Sequence, residues 1–169
     1  MKKMLLIVTL IIGIVSCSKD ESSEHYSKSN LEGYWYVIDI KRPNGNYASQ
    51  STGLEREAFE CQKQYSFSFS KDNLRIIGSM PYYNGYGVSC NKQEINVDYK
   101  IKGNRIEISE GKEKLETYRI ISLKDNRLEI TFTDQMKKMI KEGLRGYVHN
   151  PTSLSMDDLL NSVMILERY

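Results

Sequence analysis

"NLEGYWYVIDIK", residues 30–41, holds the only tryptophan of a 169-residue chain, two residues after a glycine. From Tyr34 to Ile40 the run is aromatic and β-branched except for Asp39, the composition of a strand. On a strand of period two, Trp35 shares its face with Asp39, while Tyr36, Ile38 and Ile40 share the other. If Trp35 points inward, the Tyr36 set points outward and needs cover. The amphipathic segment around Met136, Met139 and Ile140 is expected to supply it.

Outward from this stretch, alternation of period two dominates. Gln64 to Ser70 sets Tyr65, Phe67 and Phe69 on one face and serines on the other. Ile95, Val97, Tyr99 and Ile101 alternate with polar residues, as do Ile106 and Ile108, and Leu128, Ile130 and Phe132. Further strands near 34–41, 73–80, 114–122 and 162–168 bring the count to eight. Helix is expected at Asp134 to Lys141, and Ser155-Met156-Asp157-Asp158 has the spacing of a helix start.

Connection lengths separate two ends. Ser70 to Asn73, Lys102 to Asn104 and Lys124 to Asn126 are short and carry the Asp, Asn or Gly that hairpin turns prefer. The connections near 42–61, 81–92 and 134–161 are long, and the one from Glu110 to Glu113 is moderate. Eight strands running up and down would therefore form one end of tight turns and one ringed by long loops. Strand one starts, and strand eight finishes, at the tight end. In a closed barrel these strands are neighbours, so Trp35 and Arg168 can stack, a contact worth about 0.5–2 kcal/mol. The alternative is an ordinary core tryptophan in an antiparallel sandwich.

Gly33-Tyr34-Trp35 resembles the Gly-x-Trp motif of the lipocalins, and Arg168 in Ile165-Leu166-Glu167-Arg168 resembles their late arginine. The Leu31-x-Gly33-x-Trp35 opening, the middle cysteine pair and the closing Leu166-Glu167-Arg168 resemble lipocalin-like lipoproteins of Bacteroidetes type. The resemblance implies an eight-stranded antiparallel up-and-down barrel over 31–169, with Gly33, Trp35 and Arg168 as a structural plug. One departure is the helical insertion before the last strand; typical lipocalins place their main helix after it.

The N-terminus carries a different signal. Lys2 and Lys3 precede an apolar run from Leu5 to Val15, too short to span a bilayer and laid out as a secretory signal. Ile14-Val15-Ser16-Cys17 resembles a bacterial lipobox, which makes residues 1–16 a signal peptide and Cys17 the lipidation site. Cys17-Ser18-Lys19-Asp20-Glu21 resembles the export signal of surface lipoproteins; the expected location is the outer membrane, cell-surface exposed, with a periplasm-facing anchor as the alternative. Residues 17–30 are polar and Ser-rich and are expected to form a lipidated flexible tether.

Two cysteines remain, Cys61 and Cys90, and in an oxidising compartment an even pair reads first as a disulfide. A metal site would need further ligands, and His25 and His149 are the only histidines. The chain has 24 basic and 22 acidic side chains; without Lys2 and Lys3 the balance is 22 to 22, which argues against a nucleic-acid partner.

The expected inward set includes Tyr65, Phe67, Phe69, Val97, Tyr99, Ile106, Tyr118, Ile130 and Phe132. It suits a small apolar or amphipathic ligand, and it equally suits a filled barrel. Asp39 is either an internal polar anchor or a strand-end charge reaching solvent. Pro81 to Gly87, with Tyr82, Tyr83 and Tyr86, offers rigid amphipathic contacts at the long-loop end, as recognition loops do, or caps the mouth. No phosphate-cradling loop, metal-spaced histidine cluster or triad appears, so neither catalysis nor a cofactor is expected. Two functions remain: a lipid-anchored protein binding a ligand in or at the mouth of a barrel, or a protein-interaction lipoprotein (inhibitor, immunity factor or envelope-complex subunit) with a filled barrel.

Overall fold

Eight antiparallel strands close into a barrel in sequence order, each pairing with the next and the last with the first. They are β1 (Gly33–Lys41), β2 (Ser66–Phe69), β3 (Asn73–Tyr83), β4 (Val88–Lys102), β5 (Arg105–Glu110), β6 (Glu113–Lys124), β7 (Arg127–Phe132) and β8 (Val163–Arg168). Among the described residues four α-helices accompany them: α1 (Lys28–Leu31), α2 (Gly53–Gln62), α3 (Asp134–Gly143) and α4 (Met156–Leu160). The computed structural model describes residues 26–83, 85–110, 113–143 and 156–169. The signal segment, Cys17, most of the tether and His149 lie outside the described residues.

The expected up-and-down order is the observed one, and the apolar alternation fills the closed half of the barrel. Trp35, Phe67, Leu74, Ile106, Leu128, Ile130 and Leu166 are fully buried, with Phe69, Tyr99, Tyr118 and Ile120 close behind. The double-faced β1 is resolved by a bulge. Val37 pairs with Leu166 and Asp39 with Ile165, so Ile38 is an extra residue and the parity reverses after it. Ile40 therefore turns inward opposite Met164 and joins the core at 8% exposure.

Among the described residues, α3 does not supply the cover expected for β1. α3 packs against β6, where Thr133 Oγ1 caps the Met136 amide at 3.3 Å and Gln135 Oε1 accepts from the Glu116 amide at 3.2 Å. Met139 stays exposed, and so does Tyr34 on β1. With Ile40 moved inside, the outer face of β1 needs less shielding. A short 3-10 turn at Ala48–Gln50 packs beside β1 instead.

Two long connections are also more ordered than their composition suggested. The first contains α2, whose Ala58, Phe59 and Cys61 are buried. The third is not a loop over 81–92: β3 and β4 run on in unbroken register to Tyr83 opposite Val88, making a two-stranded arm beyond their other neighbours. At the moderate connection β5 and β6 stay paired to their ends, Glu110 opposite Glu113. Residues 26–30, assigned to the tether, instead belong to the folded unit: Tyr26 packs on the core and α1 leads into β1.

Candidate functional site

The closed end is sealed by residues far apart in sequence. Gly33 adopts φ +130°, a conformation that favours glycine, and a Cβ there would meet Arg168 Cδ at 3.5 Å. This lets the chain turn from α1 into β1 with Leu31 buried beneath the barrel. Trp35 Nε1 donates to the Leu31 carbonyl at 2.7 Å, satisfying the buried indole. The Arg168 guanidinium lies over the Trp35 ring, Cζ 4.5 Å from its centre, and donates to the Asn30 carbonyl. Lys28 reaches the Lys71 carbonyl and Asp72, both at 2.8 Å, and its ammonium lies 4.8 Å from the centre of the Tyr99 ring. The Gly33, Trp35 and Arg168 plug thus has the geometry expected of it, and α1 is the part that sequence reasoning missed.

From this plug a chain of aromatic rings climbs the interior. Tyr99 meets Phe69 edge-on at 5.3 Å, Phe69 stacks near Phe67 at 6.4 Å, Phe67 meets Tyr118 edge-on at 5.6 Å, and Tyr118 stacks on Phe132 at 5.4 Å. The Tyr99 hydroxyl donates to the Ser70 carbonyl at 2.9 Å, anchoring the chain at the tight-turn end. Burial, with Glu32 and Asp72 nearby, pushes the Tyr99 phenol up to about 12. Burial raises Tyr118 further, with Tyr65 a lesser neighbour, and burial also raises Tyr65. These phenols stay neutral hydrogen-bonding groups at physiological pH.

Toward the open end the same inward faces lose their cover. Tyr65, Val97, Ile108, Phe132 and Met164 pack on the core but are only half-buried. Ile95, inward by its pairing with Ile76, is 46% exposed. The interior is thus graded: filled below, apolar and accessible above, with the Tyr65 phenol at the boundary. The Tyr65 ring lies against Gly78, where an added Cβ would come within 2.6 Å of Cε1; glycine is what lets the ring lie there.

Of the residues expected to bind, Tyr65, Phe67, Tyr99 and Tyr118 are therefore interior, but Phe67, Tyr99 and Tyr118 belong to the filled part. Tyr82 and Tyr83 stand in β3 on the arm rather than in a loop, and Tyr86 lies in the turn at its tip. Tyr82 is 54% exposed and Tyr86 fully so. α2 braces this arm: Cys61 and Cys90 form a disulfide with Cα atoms 5.5 Å apart, and Glu57 Oε2 accepts from the Val88 amide at 2.9 Å. Asp39 accepts from the Ile40 amide at 2.8 Å, the Ser49 amide at 3.1 Å and Ser49 Oγ at 2.6 Å. It is a partly buried clasp for the first connection, neither of the two roles expected.

Among the described residues no three His, Cys, Asp or Glu side chains are grouped to hold a metal ion. A surface hollow at the closed end, lined by Tyr26, Ser29, Asn30, Leu123, Asp125 and Arg168, belongs to the plug.

A family model described as a lipocalin-like domain matches residues 31–130. No curated protein matches the chain. Among solved structures, the chain is similar to an uncharacterized protein from Bacteroides eggerthii DSM 20697, at 10% identity and a TM-score of 0.41, covering 82% of this chain and 98% of that one.

Proposed function

The chain belongs to the family of lipocalin-like domains, and on that premise we propose that it is a lipid-anchored envelope protein binding a small apolar or amphipathic ligand at its barrel mouth. The observation that carries this reading is the change in cover along the inward faces, from fully buried Trp35 and Leu128 to half-exposed Ile95. Eight strands leave room for packed side chains or one small ligand. Here the packed half is the closed one, which leaves the open half for an apolar chain or ring. A polar end would meet the rim, where Gln93 and Asn91 follow Ile95 on the same face of β4.

The anchor rests on the lipobox-like Ile14 to Cys17, and the surface location on Lys19-Asp20-Glu21. Because the folded unit starts at the closed end, a tether from Cys17 would turn the mouth away from the membrane. That orientation suits capture from outside. The second reading, a protein-interaction lipoprotein, is favoured by the arm, which holds Tyr82 and Tyr86 exposed beyond the barrel.

Native mass spectrometry of the full-length protein, extracted in detergent from its own host envelope, separates the two. A co-purified small molecule, released when the protein is denatured, is the expected result. A stoichiometric protein partner with no small molecule would overturn the ligand reading.

A further inference from the structure

The β3–β4 arm leaves one strand edge open. β4 pairs with β3 back to Val88 but with β5 only from Asp98 onward. The Tyr99 amide donates to the Asp72 carbonyl at 3.2 Å, so odd-numbered residues of β4 turn their backbone groups toward β3. The register with β3 has no bulge, which carries that alternation down the arm. Cys90, Lys92, Glu94 and Asn96 therefore aim their N–H and C=O groups the other way, and no strand pairs with them among the described residues. All residues from 90 to 96 are exposed. The β3 edge is different: Pro81 there has no N–H to offer a further strand, while α2 packs on both strands of the arm and meets β4 at Val88 and Cys90.

An unpaired, exposed edge is a template for another strand. Its side chains determine which strand fits. Lys92 and Glu94 lie on one face; Glu94 bonds Arg75 at 2.7 Å, and Lys92 has no ion pair among the described residues.

We propose that two copies of this chain pair antiparallel along the β4 edge, about a two-fold axis at Gln93. Outward-facing groups must meet outward-facing groups, so even positions oppose even positions. An axis at Lys92 sets two ammonium groups against each other, and one at Glu94 does the same to two carboxylates. An axis at Asn91 carries the ladder onto Val88, whose amide Glu57 already holds. An axis at Ile95 carries it onto Asp98, which β5 already holds. The Gln93 axis alone places Lys92 opposite Glu94 of the second copy, twice by symmetry, and keeps the ladder within 90–96. It sets Ile95 opposite Asn91 of the second copy, at the rim of each mouth, so the pairing would also join the two mouths along one wall.

Sedimentation of the full-length protein in detergent tests the pairing, and charge variants test its register. The wild type is expected to be a dimer. Lys92→Glu and Glu94→Lys should each weaken self-pairing by about tenfold. Mixed together, they should pair with each other, because every opposed position then carries opposite charges. Gln93→Cys should cross-link to its own copy under mild oxidation, since residues at such an axis form a close, non-hydrogen-bonded pair. A monomer, with or without an extended peptide bound, would overturn the proposal. So would a dimer indifferent to both charge variants, or one in which Gln93→Cys does not cross-link.

Discussion

Trp35 shows what one residue determines. It is fully buried, its indole N–H is satisfied by Leu31, and the Arg168 guanidinium covers its face. Trp35→Ala would leave a large cavity at the plug and is expected to cost about 3–5 kcal/mol in chemical denaturation. Ligand binding by the molecules that remain folded should be unchanged, because the plug lies at the opposite end from Ile95. A loss of binding in a stable Trp35→Ala protein would place the ligand at the closed end instead. This arrangement was legible in the sequence because Gly33, Trp35 and Arg168 each have one reading on a closed up-and-down barrel. α1 was not legible: a four-residue turn of Lys-Ser-Asn-Leu has no period of its own, and it is held by Leu31 burial and by contacts from Lys28 and Arg168.

At the scale of elements, the alternating strands and their tight turns were readable, and the exceptions have physical causes. The bulge at Ile38 leaves only an indirect mark in the sequence, Asp39 on the Trp35 face with Ile38 and Ile40 on the other; pairing with β8 selects the parity that buries Ile40. α2 did leave a mark: Leu54, Ala58 and Cys61 recur at helical spacing after Thr52, but the polar residues between them give the segment the look of a loop. α2 matters because its disulfide is the covalent link between the first connection and the arm. Closing a span of 29 residues contributes about 3–4 kcal/mol in the chain-entropy model. The paired Cys61→Ser, Cys90→Ser variant should lose about that much stability. Hydrogen exchange should show α2 and the arm losing protection first while β5 to β8 keep theirs; uniform loss across the barrel would show that α2 is part of the core cooperative unit.

The whole molecule is a barrel with unlike ends. Its closed end is plugged by α1, Trp35 and Arg168, and its other end keeps inward-facing apolar residues in contact with solvent. The family membership and the eight-stranded architecture follow from patterns that local sequence carries, whereas the ligand depends on how far side chains fill the upper barrel, which alternation alone does not reveal. The proposed binding site is this upper half, and Ile95 is its most exposed apolar wall residue, at the opposite end from the plug. The most direct test is titration of a fluorescent fatty-acid analogue into full-length wild-type protein and into Ile95→Asp. The site predicts saturable one-to-one binding to the wild type, weakened by about tenfold or more when a charge replaces the apolar wall, with the folded structure retained. Equal affinity in both proteins, or no saturable binding to the wild type, would contradict it.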